Sequence, residues 1–316
     1  MIELLRGELG KLRRWRLLVG IFLLLVAGLT FLTWENHVSF AIETDTLRGL
    51  QQTIQQLQDP SGGPATAADK APYVAELHQF QAGFAQARHE VQIQGSPDVA
   101  AGELTTLVGL VIGLLLGAGL VGLELGTGTR RTMILARVGR GRSSLALLLA
   151  LGCLALLLAV VGFLTVVLAN ALFAWVYHRP EGDVVQLFSL GSLWSLAASA
   201  IALWTWSLIG ALGAVLTNSV LGGLIGAIAY VGADFIAGQH VPGLSRVLLT
   251  PNAWILAQWA SRTPPNSSLL VPRIWLESWG AFRPFPNVAA ALIVFAFGGL
   301  AAAALSWIWK AEDILP

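Results

Sequence analysis

The residues best spaced for chemistry lie together at positions 124–142: Glu124, Gly128, Thr129, Arg130, Arg131, Met133, Ile134, Arg137, Arg140 and Arg142. One carboxylate, a small Gly-Thr step, a short apolar run and a set of guanidinium groups suit charge pairing and docking. Arginine side chains suit pairing with acidic groups, and Met133, Ile134 and Leu135 suit burial against an apolar surface. The segment has no nucleophile. Nor does any other part of the chain show a catalytic pattern: His-Glu-x-x-His, Gly-x-Ser-x-Gly, Cys-x-x-Cys and a phosphate-loop lysine are all absent. His37, His78, His89, His178 and His240 fall in predicted loops or in one long polar segment, with no carboxylate at a telling spacing. An exposed structural role is expected for each. Cys153 is the single cysteine, which excludes an intrachain disulfide and a cysteine-based metal site. No catalytic residue, no metal site and no cofactor held by this chain are predicted.

The elements that must position this segment are set by composition. Of 316 residues, 55% are hydrophobic and 12% charged, and the mean hydropathy is +0.70. A soluble globular chain carries about twice that charge, roughly a quarter of its residues. No Asp, Glu, Lys or Arg occurs between Asp183 and Asp234. A helical crossing needs about 20 apolar residues, so that stretch has room for two. The net charge of +1 gives no reason to expect nucleic acid as a partner; membrane lipid is the expected surrounding.

Apolar runs and breakers predict an all-α, polytopic membrane protein. Residues 1–16 form an amphipathic helix on the inner membrane surface, with Leu4, Leu5, Leu9 and Leu12 on one face. Six transmembrane helices follow at 17–34, 104–123, 145–175, 184–212, 215–236 and 288–309, with a hinge near Thr217, Asn218 and Ser219 between the fourth and fifth. Residues 35–103 form an extracytoplasmic helical insert. In it, two amphipathic helices flank the breaker Asp59-Pro-Ser-Gly-Gly-Pro64. Residues 238–287 are an outer loop dense in Pro and Trp, expected to carry interfacial or re-entrant helices.

Charge density orients these elements. Arg6, Lys11, Arg13, Arg14 and Arg16 precede the first span, and the arginines of 124–144 link the second and third. The segments on the other side hold eight basic residues spread over far more chain. Both termini are therefore expected in the cytoplasm, with 35–103 outside.

In this layout the segment 124–144 resembles the cytoplasmic coupling helix of ABC-2 type (type V) permeases, the membrane subunits of many bacterial ABC exporters. Three residues separate Glu124 from Gly128-Thr129, a short apolar helix follows, and Arg140 fits the terminal Arg of a basic turn. Arg137 occupies a position where that pattern commonly has Pro or Gly. A bare positive-inside anchor would account for the arginines, but not for the Glu-x3-Gly-Thr spacing. The resemblance implies a multi-pass protein of the bacterial plasma (inner) membrane. It further implies a separate ABC ATPase subunit that docks on the coupling helix and holds ATP and Mg, so that this chain is not itself an enzyme. A second permease, in all expectation identical, completes the complex.

The uncharged spans also bound the cargo. Phe188, Trp194, Trp204 and Trp206 are the candidate path-lining residues, an apolar and aromatic surface that suits a hydrophobic or amphipathic compound such as a drug, an antimicrobial peptide or a lipid. Such a surface does not offset the desolvation of a small ion or free sugar. Gly109, Gly113, Gly117, Gly119 and Gly122 predict close helix packing along span two. A different class of function, a non-pumping membrane scaffold or immunity protein, fits the same composition; an ATPase gene beside this one discriminates between the two.

Overall fold

A computed structural model describes residues 15–56, 67–105, 107–126, 140–178, 182, 184–241, 247–261 and 287–311. Among these the chain is all-helical. In chain order the helices are α1 (Trp15–Gln56), α2 (Ala67–Glu90), α3 (Ser96–Thr105), α4 (Leu107–Gly126), α5 (Arg140–Val176), α6 (Leu190–Thr217), α7 (Val220–His240), α8 (Leu249–Ser261) and α9 (Asn287–Ala311). Short 3-10 turns at Ile93–Gly95 and Val184–Phe188 precede α3 and α6.

Four described helices are long and apolar enough to cross a bilayer: Arg16–Gln56, Ser144–Val176, Leu190–Thr217 and Val288–Ile308. The pair Ile93–Thr105 and Val108–Leu123, bent by 54°, adds a fifth if it is one broken span. The apolar run of α7, Val220–Asp234, is shorter. The outward faces of these helices are apolar too. Leu168, Trp175, Leu221, Leu292, Leu300 and Trp307 are each more than 60% exposed. Continuous apolar surface on that scale is stable in lipid and not in water, so the chain is membrane-embedded.

α1 departs most from the expected layout. The helix that holds the first span does not end at Trp34; it is one helix of 42 residues that runs on through the start of the polar segment. Between Glu35 and Arg48 there is neither Gly nor Pro, so no residue interrupts the backbone ladder where the hydropathy changes. α2 packs back along the C-terminal half of α1, and the Phe40 and Phe84 rings stack at 5.0 Å between centroids. The amphipathic helix expected at 1–14 and the breaker at 59–64 lie outside the described residues.

α6 is the central helix, touching α3, α4, α5, α7, α8 and α9. Ser189 caps its start, accepting a hydrogen bond from the Ser192 N–H at 3.2 Å. It therefore begins at Leu190, and the residues from Val184 that were expected in the same span form the 3-10 turn instead. Asn218 ends α6 in the left-handed region, φ 51°, and its N–H returns to the Ala214 and Val215 carbonyls. Ser219 then caps α7 through the Gly222 N–H at 3.3 Å. An Asn in the αL conformation followed by a Ser cap reverses the chain in two residues.

Among the described residues, α4 and α6 share the most extensive contact in the bundle. A Cβ on Gly113 would meet Trp206 Cβ at 2.5 Å, and one on Gly117 would run into the Ser207 carbonyl. From the other side, Gly210 faces the Leu114 carbonyl at 2.5 Å. Small residues one turn apart let the two backbones touch, which is how helices associate where burial of apolar surface gives no advantage over lipid. The expected packing face of Gly113 and Gly117 is thus a seam against α6.

Candidate functional site

The polar side chains that the fold brings together are gathered at one end of the bundle, where α1, α3, α5 and the turn after α2 meet. Asn170 of α5 is fully buried. Its amide nitrogen donates to Ser96 Oγ at 2.9 Å and lies 3.2 Å from the Glu90 carbonyl and 3.4 Å from that of Gln92. Its Oδ1 sits 3.1 Å from His37 Nε2 of α1. His37 is itself fully buried, with its ring 5.5 Å from that of Phe173 and 6.0 Å from that of Tyr177. One step outward, His89 Nε2 and Asp98 Oδ2 approach to 2.9 Å, joining the end of α2 to the first turn of α3.

This arrangement locks rather than reacts. Asn170 ties the chain reversal at Glu90 and Gln92, where the Gln92 carbonyl also accepts from the Gly95 N–H at 2.9 Å, to two membrane helices. Buried polar groups are stable when paired, so the amide fixes the point where the polar hairpin enters the bundle. No group of three or more His, Cys, Asp or Glu able to hold a metal is found among the described residues.

A second lock sits between α7 and α8. Asp234 is 4% exposed, and its Oδ2 accepts a 2.7 Å hydrogen bond from the Thr250 N–H. It therefore caps α8 from another helix, putting a carboxylate at the positive end of the helix dipole. α8 lies within the loop expected at 238–287, and it is buried on one face: Leu249, Asn252, Ala253 and Leu256 are each at most 2% exposed.

The residues singled out in the sequence fall as follows. Glu124 lies in the last turn of α4, and Arg140 and Arg142 lie in the first turn of α5. Gly128, Thr129, Arg130, Arg131, Met133, Ile134 and Arg137 lie outside the described residues. Trp194 and Trp206 join one apolar cluster with Leu249, Leu256 and Val294, and Trp206 is only 2% exposed. Trp204 turns toward α5, where its Nε1 donates to the Leu148 carbonyl at 3.3 Å. Phe188 ends the 3-10 turn before α6. The tryptophans of α6 thus divide between two packing contacts.

Sequence reasoning missed His37, Asn170 and Asp234. His37 is neither in a loop nor exposed, and His89 does have a carboxylate partner, Asp98, nine residues away. For Asn170 a signal existed: it is the one amide in the apolar run from Leu145 to Val176. A polar side chain inside a crossing is expensive unless paired. No protein-family model and no curated protein matches the sequence.

Proposed function

We propose that this chain is the permease subunit of an ATP-driven ABC exporter of the ABC-2 type, a six-span protein of the bacterial plasma membrane with cytoplasmic termini and an outer helical hairpin. It works with a separate ATPase and a second, identical permease, and moves a hydrophobic or amphipathic compound outward. ATP hydrolysis takes place on the partner subunits. In this assignment α4 carries the second crossing, α7 the fifth and α9 the sixth.

The observation that carries the proposal is the spacing of Glu124, Gly128-Thr129 and Arg140 in the segment joining two apolar helices, α4 and α5. α4 is bound to α6 through the glycine seam, and α6 touches most of the other helices. A push on the segment after α4 therefore reaches the centre of the bundle through rigid backbone contact. Replacing Arg137, Arg140 and Arg142 together with alanine tests the coupling role. Exposed interfacial charges contribute at most about 1 kcal/mol each, so the triple variant is expected to lose ATPase binding or to uncouple hydrolysis from export, with single variants much milder. Unaltered assembly and transport in the triple variant removes the assignment.

A further inference from the structure

The hairpin and the bundle enclose a cleft of about 430 Å³ that none of the roles above uses. Its walls are Phe40, Phe84 and Tyr177; Arg48, Arg88 and His178 also line it. We propose that this cleft binds an anionic amphiphile, an apolar tail or ring carrying one phosphate or carboxylate, on the outer side of the membrane.

Each part of that description comes from a feature of the site. The volume falls in the range of ligand pockets, about 300–1,000 Å³. The stacked pair Phe40–Phe84, 5.0 Å apart, and the Tyr177 ring give an apolar wall, which a bare inorganic anion does not need. Two guanidinium groups line the cleft against one carboxylate, Asp45, which lies 3.5 Å from Arg48 with both side chains at least 70% exposed. An exposed contact at that distance leaves Arg48 able to exchange Asp45 for a better acceptor. Guanidinium binds phosphate and carboxylate in a two-point fork, which selects anions of that shape.

The surroundings point to an amphiphile rather than a soluble metabolite. Ile42 is 63% exposed beside the lining residue Ala41, and Trp175 and Val176 are 70% and 49% exposed beside Tyr177. Apolar outward surface thus runs along α1 and α5 up to the mouth. Trp at that position suits the headgroup level of a bilayer. A ligand held by its head in the cleft can lay its tail along this surface. The floor beneath is rigid, since Tyr177 lies against the buried His37 that Asn170 holds.

The test uses the full chain alone, released from dodecyl maltoside into native mass spectrometry with equal amounts of phosphatidylglycerol and phosphatidylcholine. One retained phosphatidylglycerol is expected in preference to phosphatidylcholine. Replacing both rim arginines with glutamine (R48Q/R88Q) is expected to lower that retention about fivefold to tenfold, as for two exposed charge contacts. The conservative R48K/R88K pair is expected to restore part of it, and Phe84→Ala to weaken it with the charges intact. Dodecyl phosphate in a separate arm identifies the source: displacement of the lipid shows that a free amphiphile uses the same site. Binding of dodecyl phosphate without lipid retention assigns the cleft to free amphiphiles alone. Equal retention of the two lipids with no dodecyl phosphate binding overturns the proposal, as does undiminished binding in R48Q/R88Q. Displacement by inorganic phosphate at the same concentration overturns its amphiphile part. No ATPase enters the experiment, so failure here leaves the transporter assignment standing, and failure of coupling leaves the cleft.

Discussion

Replacing Asn170 with alanine removes the amide that joins three segments. Its side chain makes four polar approaches, to Ser96, to the Glu90 and Gln92 carbonyls and to His37, at 2.9, 3.2, 3.4 and 3.1 Å. The two shortest carry most of the effect, and the 3.4 Å approach little. Side-chain hydrogen bonds between membrane helices average about 0.6 kcal/mol and buried ones in soluble proteins about 1 kcal/mol. Asn170→Ala is therefore expected to destabilise the chain by about 1–3 kcal/mol. Reversible unfolding in bicelles gives the total, and hydrogen exchange gives its location. The amides around Ile93 and Gly95 should lose protection first, because the amide restrains that reversal directly. Leu168→Ala on the same helix, at a side chain 69% exposed, serves as the control and should cost far less. A loss below about 1 kcal/mol, or exchange rates raised equally throughout the bundle, refutes the idea of a local lock.

Asp234→Ala should destabilise α8 by about 1–2 kcal/mol, the range for losing a charged cap, while Asp234→Asn keeps an acceptor and should lose less; exchange of the α8 amides reports both. Gly117→Leu should prevent the α4–α6 seam from closing, costing about 3 kcal/mol or more, and yield no monodisperse peak on size exclusion. Gly226→Leu, where an added Cβ meets nothing within 4 Å, should behave as wild type. For topology, cysteines introduced singly at Ser61 and Ser143 in a Cys153→Ala background are expected to label with impermeant reagents at Ser61 only; the opposite pattern reverses the orientation.

What the sequence could reveal depended on how far apart the interacting residues are. The hinge at Asn218 and the glycine seam were legible because their causes are local: a turn-forming amide between apolar runs, and small residues one helical turn apart. The continuity of α1 past Trp34 was not read from the sequence, because hydropathy falls at Glu35 although nothing there breaks a helix. A change of solvent preference is not a change of backbone conformation. His37 with Asn170, and Asp234 with Thr250, were out of reach of periodicity, since 133 and 16 residues separate the partners and only the fold joins them. Asn170 stood out as an isolated amide in apolar sequence, which signals that a partner exists without naming it. The docking expectation at 124–142 rests on residue types and on a resemblance in their spacing, and the stacked rings with arginines around the cleft have no linear signature.

The unbroken length of α1 has a mechanical consequence. At 1.5 Å per residue, 42 residues make a rod about 63 Å long. A rod without an internal joint cannot bend at the membrane surface to let its two ends move independently. Any tilt imposed near Trp15 swings the Gln56 end the opposite way, and a rotation of about 5° about one end displaces the other by about 5 Å over that length. α2 lies alongside the C-terminal half and travels with it. The end of α5, carrying Tyr177 and His178, is tied to α1 at His37, so it stays with the rod at that point. Small tilts at the Trp15 end would therefore be amplified at the Gln56 end, beyond the His37–Asn170 anchor, with no moving part in between.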